Sequence, residues 1–540
     1  MRKTIGGQVF AQMIFCGSAA LEENRQQLNE LNVFPVPDGD TGTNMSLTMS
    51  SAAAALQGKS CAAVSEAADT AASALLRGAR GNSGVILSLL FRGIAKGLRG
   101  KSECTAAEWA KAMSTGVDSA YKAVMKPAEG TILTVSRKAS EAAVDLAKSG
   151  TADIEEILSG ALEVARTTLA ATIDMNPVLK KAGVVDAGGQ GYVVILNAML
   201  LSLQGKFTAS APAVPAPEKA EAPRETKSAF TYRTEIVVRR EKDRDPKLLR
   251  SYLESIGDSL VIAEEDKLLK VYVHTDAPGK VLTEGLRYGP LQSVKVENMR
   301  LQPQEENAVS AEPEEEEIAP AEKSIGFVAV CAGEGMKDLF RSLGADRVVT
   351  GGQTMNPSTE DILREVNRTP AETVFVFPNN KNIIMAAEQC VPLSRKQVRV
   401  VPTKTVPQGV TALAYMDPDQ DAEALDAAFR ESADKVRTAL VTYAARDSDF
   451  DGHAIHAGEY LALLDGKLLG SYTNLATLFK ELNWALEELN PEFLTVYYGQ
   501  DVTAEDAQAV ADGLSAAFPE ADLSLINGGQ PVYYYMISAE

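Results

Sequence analysis

Two stretches of this chain cannot join a folded core, and they decide how the rest is divided. Residues 206–227 consist largely of Ala, Pro, Glu and Lys, and residues 303–323 carry Glu314-Glu315-Glu316-Glu317 among further Pro and Ala. Segments this polar and proline-rich bury too little apolar area to offset the entropy lost on ordering. They read as linkers, with the four-glutamate run a solvated part of the second. Three parts remain, 1–205, 228–302 and 324–540, which makes a multidomain protein of 540 residues. That agrees with a prior of roughly 100–200 residues per domain.

The three parts differ in hydrophobic period. In 1–205 apolar residues recur three and four apart, as in Val9, Met13 and Ile14, in Ala72, Leu75 and Leu76, and in Ile154, Leu158 and Leu162. Period-two alternation is nearly absent, so this part is expected to be all-α, a barrel or bundle whose abundant Ala lets helices approach closely. In 228–302, Tyr232, Thr234, Ile236 and Val238 alternate as a strand. A helix over 247–256, strands around Leu260 and over 269–274, a helix after Pro278 and a strand near 294–296 follow. The order β-α-β-β-α-β predicts an α+β domain of the ferredoxin-like, split βαβ kind. Residues 324–540 begin with strands at 325–330, 347–350, 373–377 and 398–401 separated by helices, the rhythm of a parallel sheet in an α/β domain. Its second half changes style at Asp465-Gly466, a two-residue hairpin turn between apolar runs. Trp109 and Trp484 both fall at apolar helical positions and are read as core.

Composition narrows the function. With 53 basic and 73 acidic residues the net charge is −20, which repels nucleic acid, and no basic patch reverses it. The five cysteines, Cys16, Cys61, Cys104, Cys331 and Cys390, are scattered and never form CxxC, as expected of reduced thiols in a cytoplasmic protein. No apolar run reaches the ~18 residues a membrane span requires, so neither export nor a transmembrane segment is predicted.

The densest unusual segment runs from Asn32 to Met45, NVFPVPDGDTGTNM. Two prolines stop the preceding helix, glycines free the loop to approach a ligand, and Asp38 and Asp40 can converge on one hard cation, for which oxygen ligands suit magnesium. Thr41, Thr43 and Asn44 open the next helix, where free N–H groups favour phosphate. The competing reading is a capped turn between helices, which uses the same residue types. An EF-hand fails on register, since Thr43 stands at its sixth position and Met49 at its twelfth. A Walker A loop fails because Ala53 and Ala95 precede Gly58-Lys59-Ser60 and Gly100-Lys101-Ser102 where a glycine is required. A second segment, RGARGNSGV over 77–85, offers backbone amides and Arg80 to oppose phosphate charge, or is simply a glycine-rich turn. Two further loops, Glu129-Gly130-Thr131 and DAGGQG over 186–191, sit at expected helix starts.

Taken together, the segments 32–45, 78–84, 129–135 and 184–191 resemble the nucleotide-binding domain of the dihydroxyacetone kinase family. The stretches VYVHTDAPGKVL (271–282) and VENMR (296–300), with GGQTMNPST (351–359), PNNKN (378–382) and VPQGV (406–410), resemble the bacterial fatty acid kinase catalytic subunit, whose C-terminal domain is distantly DegV-like. The resemblance implies ATP and magnesium, two ions, held in a helical barrel. It implies Asp38 and Asp40 as magnesium ligands, with Asn32 where dihydroxyacetone kinases carry a third acidic one. Thr41, Thr43, Asn44, Met45, Gly81, Asn82, Ser83 and Gly84 would hold the phosphates, and Thr131, Asp186 and Gly188 would line the nucleotide. The implied reaction makes acyl phosphate and ADP from a fatty acid carried by a separate DegV-like fatty-acid-binding protein, and the implied assembly is a homodimer. A carboxylate of pKa near ~4.3 is already a nucleophile at neutral pH and needs no general base.

In some relatives the central domain holds zinc through one Cys and two His. Here Arg233 and Tyr272 occupy two of those positions and leave His274 alone, so zinc is not expected. His274 is then either a catalytic residue, with Arg233 supplying the positive charge, or a hydrogen-bonded strand histidine. Histidines 453 and 456 are placed in an exposed loop. Two other functions stay open: a glycerone-type kinase, which would need a partner histidine domain that no segment resembles, and an ATP-binding regulatory adaptor without catalysis.

Overall fold

The computed structural model describes residues 2–32, 39–124, 127–209, 231–240, 249–250, 252–253, 255–265, 268–298, 318–352, 355–445, 447–450 and 453–540. Most of both expected linkers, part of the helix expected over 247–256, and Asp38 lie outside the described residues. The chain forms two compact units, one of Met1–Val214 with Glu316–Glu540 and one of Pro215–Glu315.

Among the described residues the first unit opens with ten helices. They are α1 (Gly7–Glu23), α2 (Arg25–Glu30), α3 (Thr41–Leu56), α4 (Val64–Arg77), α5 (Gly81–Leu98), α6 (Ala106–Ala123), α7 (Ile132–Lys148), α8 (Ile154–Met175), α9 (Pro177–Ala182) and α10 (Ala187–Leu203). A two-residue ladder joins β1 (Thr4–Ile5) to β2 (Cys104–Thr105). The long helices pack in sequence around a ring, α1 on α3, α3 on α4, α4 on α5, and so on to α8, with α10 closing back onto α1. Their ends are set locally. Thr105 and Glu108 form a reciprocal capping box at the start of α6, and Lys101 and the Thr105 backbone hold the Glu108 carboxyl down to about 2. Asn176 caps α9, whose first residue is Pro177, the helical position where a missing N–H costs nothing.

Close approach of α5 to α6 depends on Gly93, Gly97 and Gly116. A Cβ on Gly93 would fall 2.4 Å from Thr115 O, and one on Gly116 would fall 2.6 Å from Leu90 O. Trp109 is 1% exposed and meets Phe10 edge-on at 6.3 Å, as expected of a core residue.

The second unit carries the antiparallel sheet β4-β5-β3-β6, built from β3 (Tyr232–Arg239), β4 (Gly257–Glu265), β5 (Leu268–Thr275) and β6 (Leu291–Asn298). Ile236, Val238, Val271 and Val273 alternate inward against Leu249, Leu253 and Tyr288.

The C-terminal part of the first unit holds two sheets. The four-stranded one, ordered β10-β9-β7-β8, is wholly parallel, from β7 (Lys323–Cys331), β8 (Arg347–Thr350), β9 (Ala371–Phe377) and β10 (Gln397–Val400). The six-stranded one runs β15-β14-β11-β18-β16-β17. It is formed by β11 (Arg437–Tyr443), β14 (Tyr460–Leu464), β15 (Lys467–Tyr472), β16 (Phe493–Tyr498), β17 (Asp522–Asn527) and β18 (Tyr535–Ala539), with only β16 and β17 parallel. Asp465 and Gly466 have φ of 50° and 78°, the two positive values that a hairpin turn of this kind requires.

Two expectations are corrected here. Trp484 lies on the helix Leu475–Glu487 but is 56% exposed, because that helix turns Leu478, Leu482 and Leu486 to the sheet and the tryptophan falls off their stripe. His453 is not in a loop: it opens β13 (His453–Ile455), which pairs with β12 (Ser448–Phe450), while His456 is exposed.

One apolar core runs from the helices into one face of the parallel sheet, reaching Val330, Ile362, Leu363, Val374 and Ala387. The polypeptide is stitched across this contact. Thr359 N donates to Ala79 O at 3.1 Å, Arg77 pairs with Glu360 at 3.0 Å and Arg80 with Asp361 at 3.4 Å.

Candidate functional site

Four helices of the first unit begin at one place. Thr41 of α3, Gly81 of α5, Ile132 of α7 and Ala187 of α10 start around an open cavity of about 470 Å³. Its wall takes Asp40, Thr41 and Asn44 from the first start, Asn82 and Ser83 from the second, Thr131 and Ile132 from the third, and Asp186 and Gly188 from the fourth, with Asn32 at α2's exit. First-turn N–H groups have no partner inside their helices, and each helix dipole places partial positive charge at the same end. Four such ends around one cavity form an anion-binding field.

The turns that aim these helices are fixed by short hydrogen bonds. Asp186 accepts from Gly189 N at 2.7 Å, and its own N–H donates to Thr172 Oγ1 at 3.1 Å. Burial pushes the Asp186 carboxyl up to about 6, against the pull of the Gly189 and Ile132 amides. Before α7, Gly130 N donates to Thr134 Oγ1 at 2.8 Å and Thr134 Oγ1 to Glu129 Oε2 at 2.7 Å. Thr134, Arg137 and Tyr121 together keep Glu129 below the usual carboxylate range.

Asp40 is buried at the cavity and accepts a hydrogen bond from Asn356 Nδ2. Asn82 donates to Asn382 Oδ1 at 3.3 Å, and its own Oδ1 is buried without a donor, as is Oδ1 of Asn356. A carboxylate flanked by unclaimed amide oxygens suits a hard cation such as magnesium. Among the described residues no group of three His, Cys, Asp or Glu side chains could hold a metal.

Other expected residues lie beside the wall. Thr43 is turned to α2, its N–H donating to Asn29 Oδ1 at 3.1 Å and its Oγ1 accepting from Asn29 Nδ2 at 3.0 Å. Met45 is fully buried against Gly191, where a Cβ would sit 2.6 Å from its Sδ. Gly81 and Gly84 form the seam between α5 and α3. Gly81 has φ of 56°, and a Cβ there would fall 2.4 Å from Asn44 Nδ2. Arg80 does not face the cavity: its Nη1 donates to Asn356 O at 2.8 Å and its Nη2 lies 3.4 Å from Asp361. Asp38 lies outside the described residues.

In the second unit Arg233 of β3 is opposite His274 of β5 in register. The Tyr272 hydroxyl and His274 Nε2 are 2.8 Å apart, as their i, i+2 placement on one strand face allows.

Sequence reasoning missed Asn356, Lys381 and Asn382, which the C-terminal sheet brings to this cavity or to its carboxylate. A signal was available. The stretches 351–359 and 378–382 follow parallel strands β8 and β9, and open α/β sheets bind ligands beyond the carboxyl ends of their strands.

Three family models match this chain: the DAK2 domain over residues 35–201, the FakA-like (fatty acid kinase A-subunit-like) middle domain over 229–306, and the FakA-like C-terminal domain over 326–540. Protein YloV of Bacillus subtilis is 41% identical over 551 residues, and the Staphylococcus saprophyticus protein SSP1546 is 37% identical over 555, each alignment covering 100% of both chains. A solved DegV family protein, Cg2579 of Corynebacterium glutamicum, is 12% identical, spans 40% of this chain and 96% of its own, and has a TM-score of 0.32. No described helix is long and apolar enough to cross a membrane. The chain belongs to the FakA-like fatty acid kinase family, a family of kinases.

Proposed function

We propose that this protein is the ATP-dependent catalytic subunit of a fatty acid kinase, transferring the γ-phosphoryl group of Mg·ATP to a fatty acid carboxylate held by a DegV-like carrier protein. The observation that carries this reading is the meeting of four helix N-termini with the Asp40 carboxylate at one cavity. The free amides of Thr41, Asn82 and Ser83 would hold phosphate oxygens, and Asp40, with Asp38 and Asn32, would hold magnesium. Magnesium supplies neutralisation of charge on the transferring phosphoryl group, and the chain's own part is orientation. Catalysis by positioning and charge suits a carboxylate acceptor, which is already ionised at neutral pH.

The same reading takes the helical ring as the closed nucleotide-binding barrel, the central sheet as ferredoxin-like and the C-terminal region as DegV-like. It places the protein in the cytoplasm, in keeping with five buried thiols without a disulfide, and takes the assembly as a homodimer. In this reading His274 is a catalytic residue of the second unit and Arg233, opposite it in register, supplies positive charge.

The test is ADP release from Mg·ATP with and without fatty-acid-loaded carrier, on the wild-type chain, Asp38→Ala and Asp40→Asn. Carrier-dependent turnover that falls at least about 100-fold in either variant is expected. Tight ATP binding with no turnover under any carrier would replace the kinase by an ATP-binding adaptor.

A further inference from the structure

The polyphosphate of a nucleoside triphosphate brings several negative charges to a wall that already holds Asp40 and Asp186. Arg80, the cation that the sequence offers for this purpose, is committed to Asn356 O and Asp361. Among the described residues of the wall, Lys381 is the one Lys or Arg. It comes from the C-terminal region, in the loop between β9 and the helix Ile384–Cys390.

That loop is held firmly. Asn379 has φ of 56° and is buried; its Nδ2 donates to Val330 O at 3.0 Å, its N–H to Thr403 Oγ1 at 3.0 Å, and Thr403 Oγ1 donates back to Asn379 Oδ1 at 2.8 Å. Asn382 N donates to Asn380 Oδ1 at 2.8 Å, and Asn382 Oδ1 accepts from Asn82 across the cavity wall. Between these anchors Lys381 is exposed, and among the described residues no carboxylate pairs with its ammonium. A stiff loop, tied to a phosphate-facing helix start, thus presents one uncommitted cation to the cavity.

We infer that the C-terminal region completes the nucleotide site in cis, with Lys381 as the cation that binds the polyphosphate of a nucleoside triphosphate and Asn382 as the residue that positions Asn82 beneath it. This rests on the nucleotide reading of the cavity. A lysine suits the task, because its compact ammonium on a flexible stem can follow the terminal phosphates while the loop stays fixed.

The experiment measures Mg·ATP binding to the full chain by calorimetry for wild type, Lys381→Met and Lys381→Arg, each at low and at high salt. Amide hydrogen exchange is followed with and without ATP. Lys381→Met is expected to bind ATP about tenfold more weakly and with a shallower salt dependence, and Lys381→Arg to recover most of the affinity. ATP is expected to slow exchange in 378–385 as well as in 40–46 and 81–86 of the wild type. Wild-type affinity in Lys381→Met, or protection confined to the helical segments, overturns the inference while leaving the nucleotide reading intact. A wild-type chain that binds no ATP overturns the nucleotide reading, and the inference with it.

Discussion

Asp186 shows how one side chain can shape a cavity wall at a cost in charge burial. Its carboxylate ties the start of α10 to the start of α7, at the cost of holding a charge in a poorly solvated place, which raises its pKa from 3.8 to about 6. A carboxyl whose folded pKa is raised stabilises the fold fully below the unfolded value near 3.8. That stability is lost as pH rises towards 6, since only the unfolded chain then gains the freely solvated anion. Asp186→Asn is therefore expected to stabilise the fold at pH 7.5, by an amount on the order of 1–3 kcal/mol with a matching rise in melting temperature, and to leave it unchanged near pH 3.5. Thermal melts of both proteins across that range check this. At the same scale, the approach of Asp40 and Asn44 to one cavity was legible from the spacing of a short polar motif, because such loops are shaped by their own residues. Thr43 and Met45 belong to the same motif yet face α2 and the core, since a helix turns successive residues by about 100° and only some of them can face one cavity.

Among the elements, the α5–α6 pair is the most tightly specified. Gly93, Gly97 and Gly116 bring the two helices so close that an added methyl would overlap backbone atoms. Gly93→Ala should cost about 1–3 kcal/mol, since overpacking there can be relieved only by moving a helix. Urea unfolding with an unchanged m-value would confirm that the loss is one of native stability. Trp109→Ala should cost more, about 3–5 kcal/mol, through the cavity left beside Phe10. Helices and strands were readable here because each buries one stripe or one face, and the period of that burial is written in the chain. Trp484 was misread for a related reason: an apolar residue at near-helical spacing need not lie on the buried stripe when Leu478, Leu482 and Leu486 already fill it.

At the scale of the whole molecule, the helical region and the C-terminal sheets share a core and a set of polar stitches although the middle unit separates them in sequence. Arg80 is the central stitch, since it reaches both Asn356 and Asp361. Arg80→Glu should weaken ATP binding several-fold by loosening Asn356, which hydrogen-bonds Asp40 at the cavity. Adding Asp361→Arg should recover part of that loss, a double-mutant cycle readable by calorimetry. Local pattern was enough to show a multidomain chain that is helical in its N-terminal region and built on sheets towards its C-terminus, the Asp465-Gly466 turn and the loops that line the cavity. All of these follow from neighbours within a few residues, where periodicity, turn chemistry and capping act. Long-range packing alone sets Arg80 at the seam between regions, gives glycines 81 and 84 their part in helix approach, brings Asn356 to Asp40 across 316 residues of sequence, and sets Lys381 and Asn382 on the cavity wall. Contacts at that separation depend on how packed surfaces fit together, and local pattern carries no record of the fit.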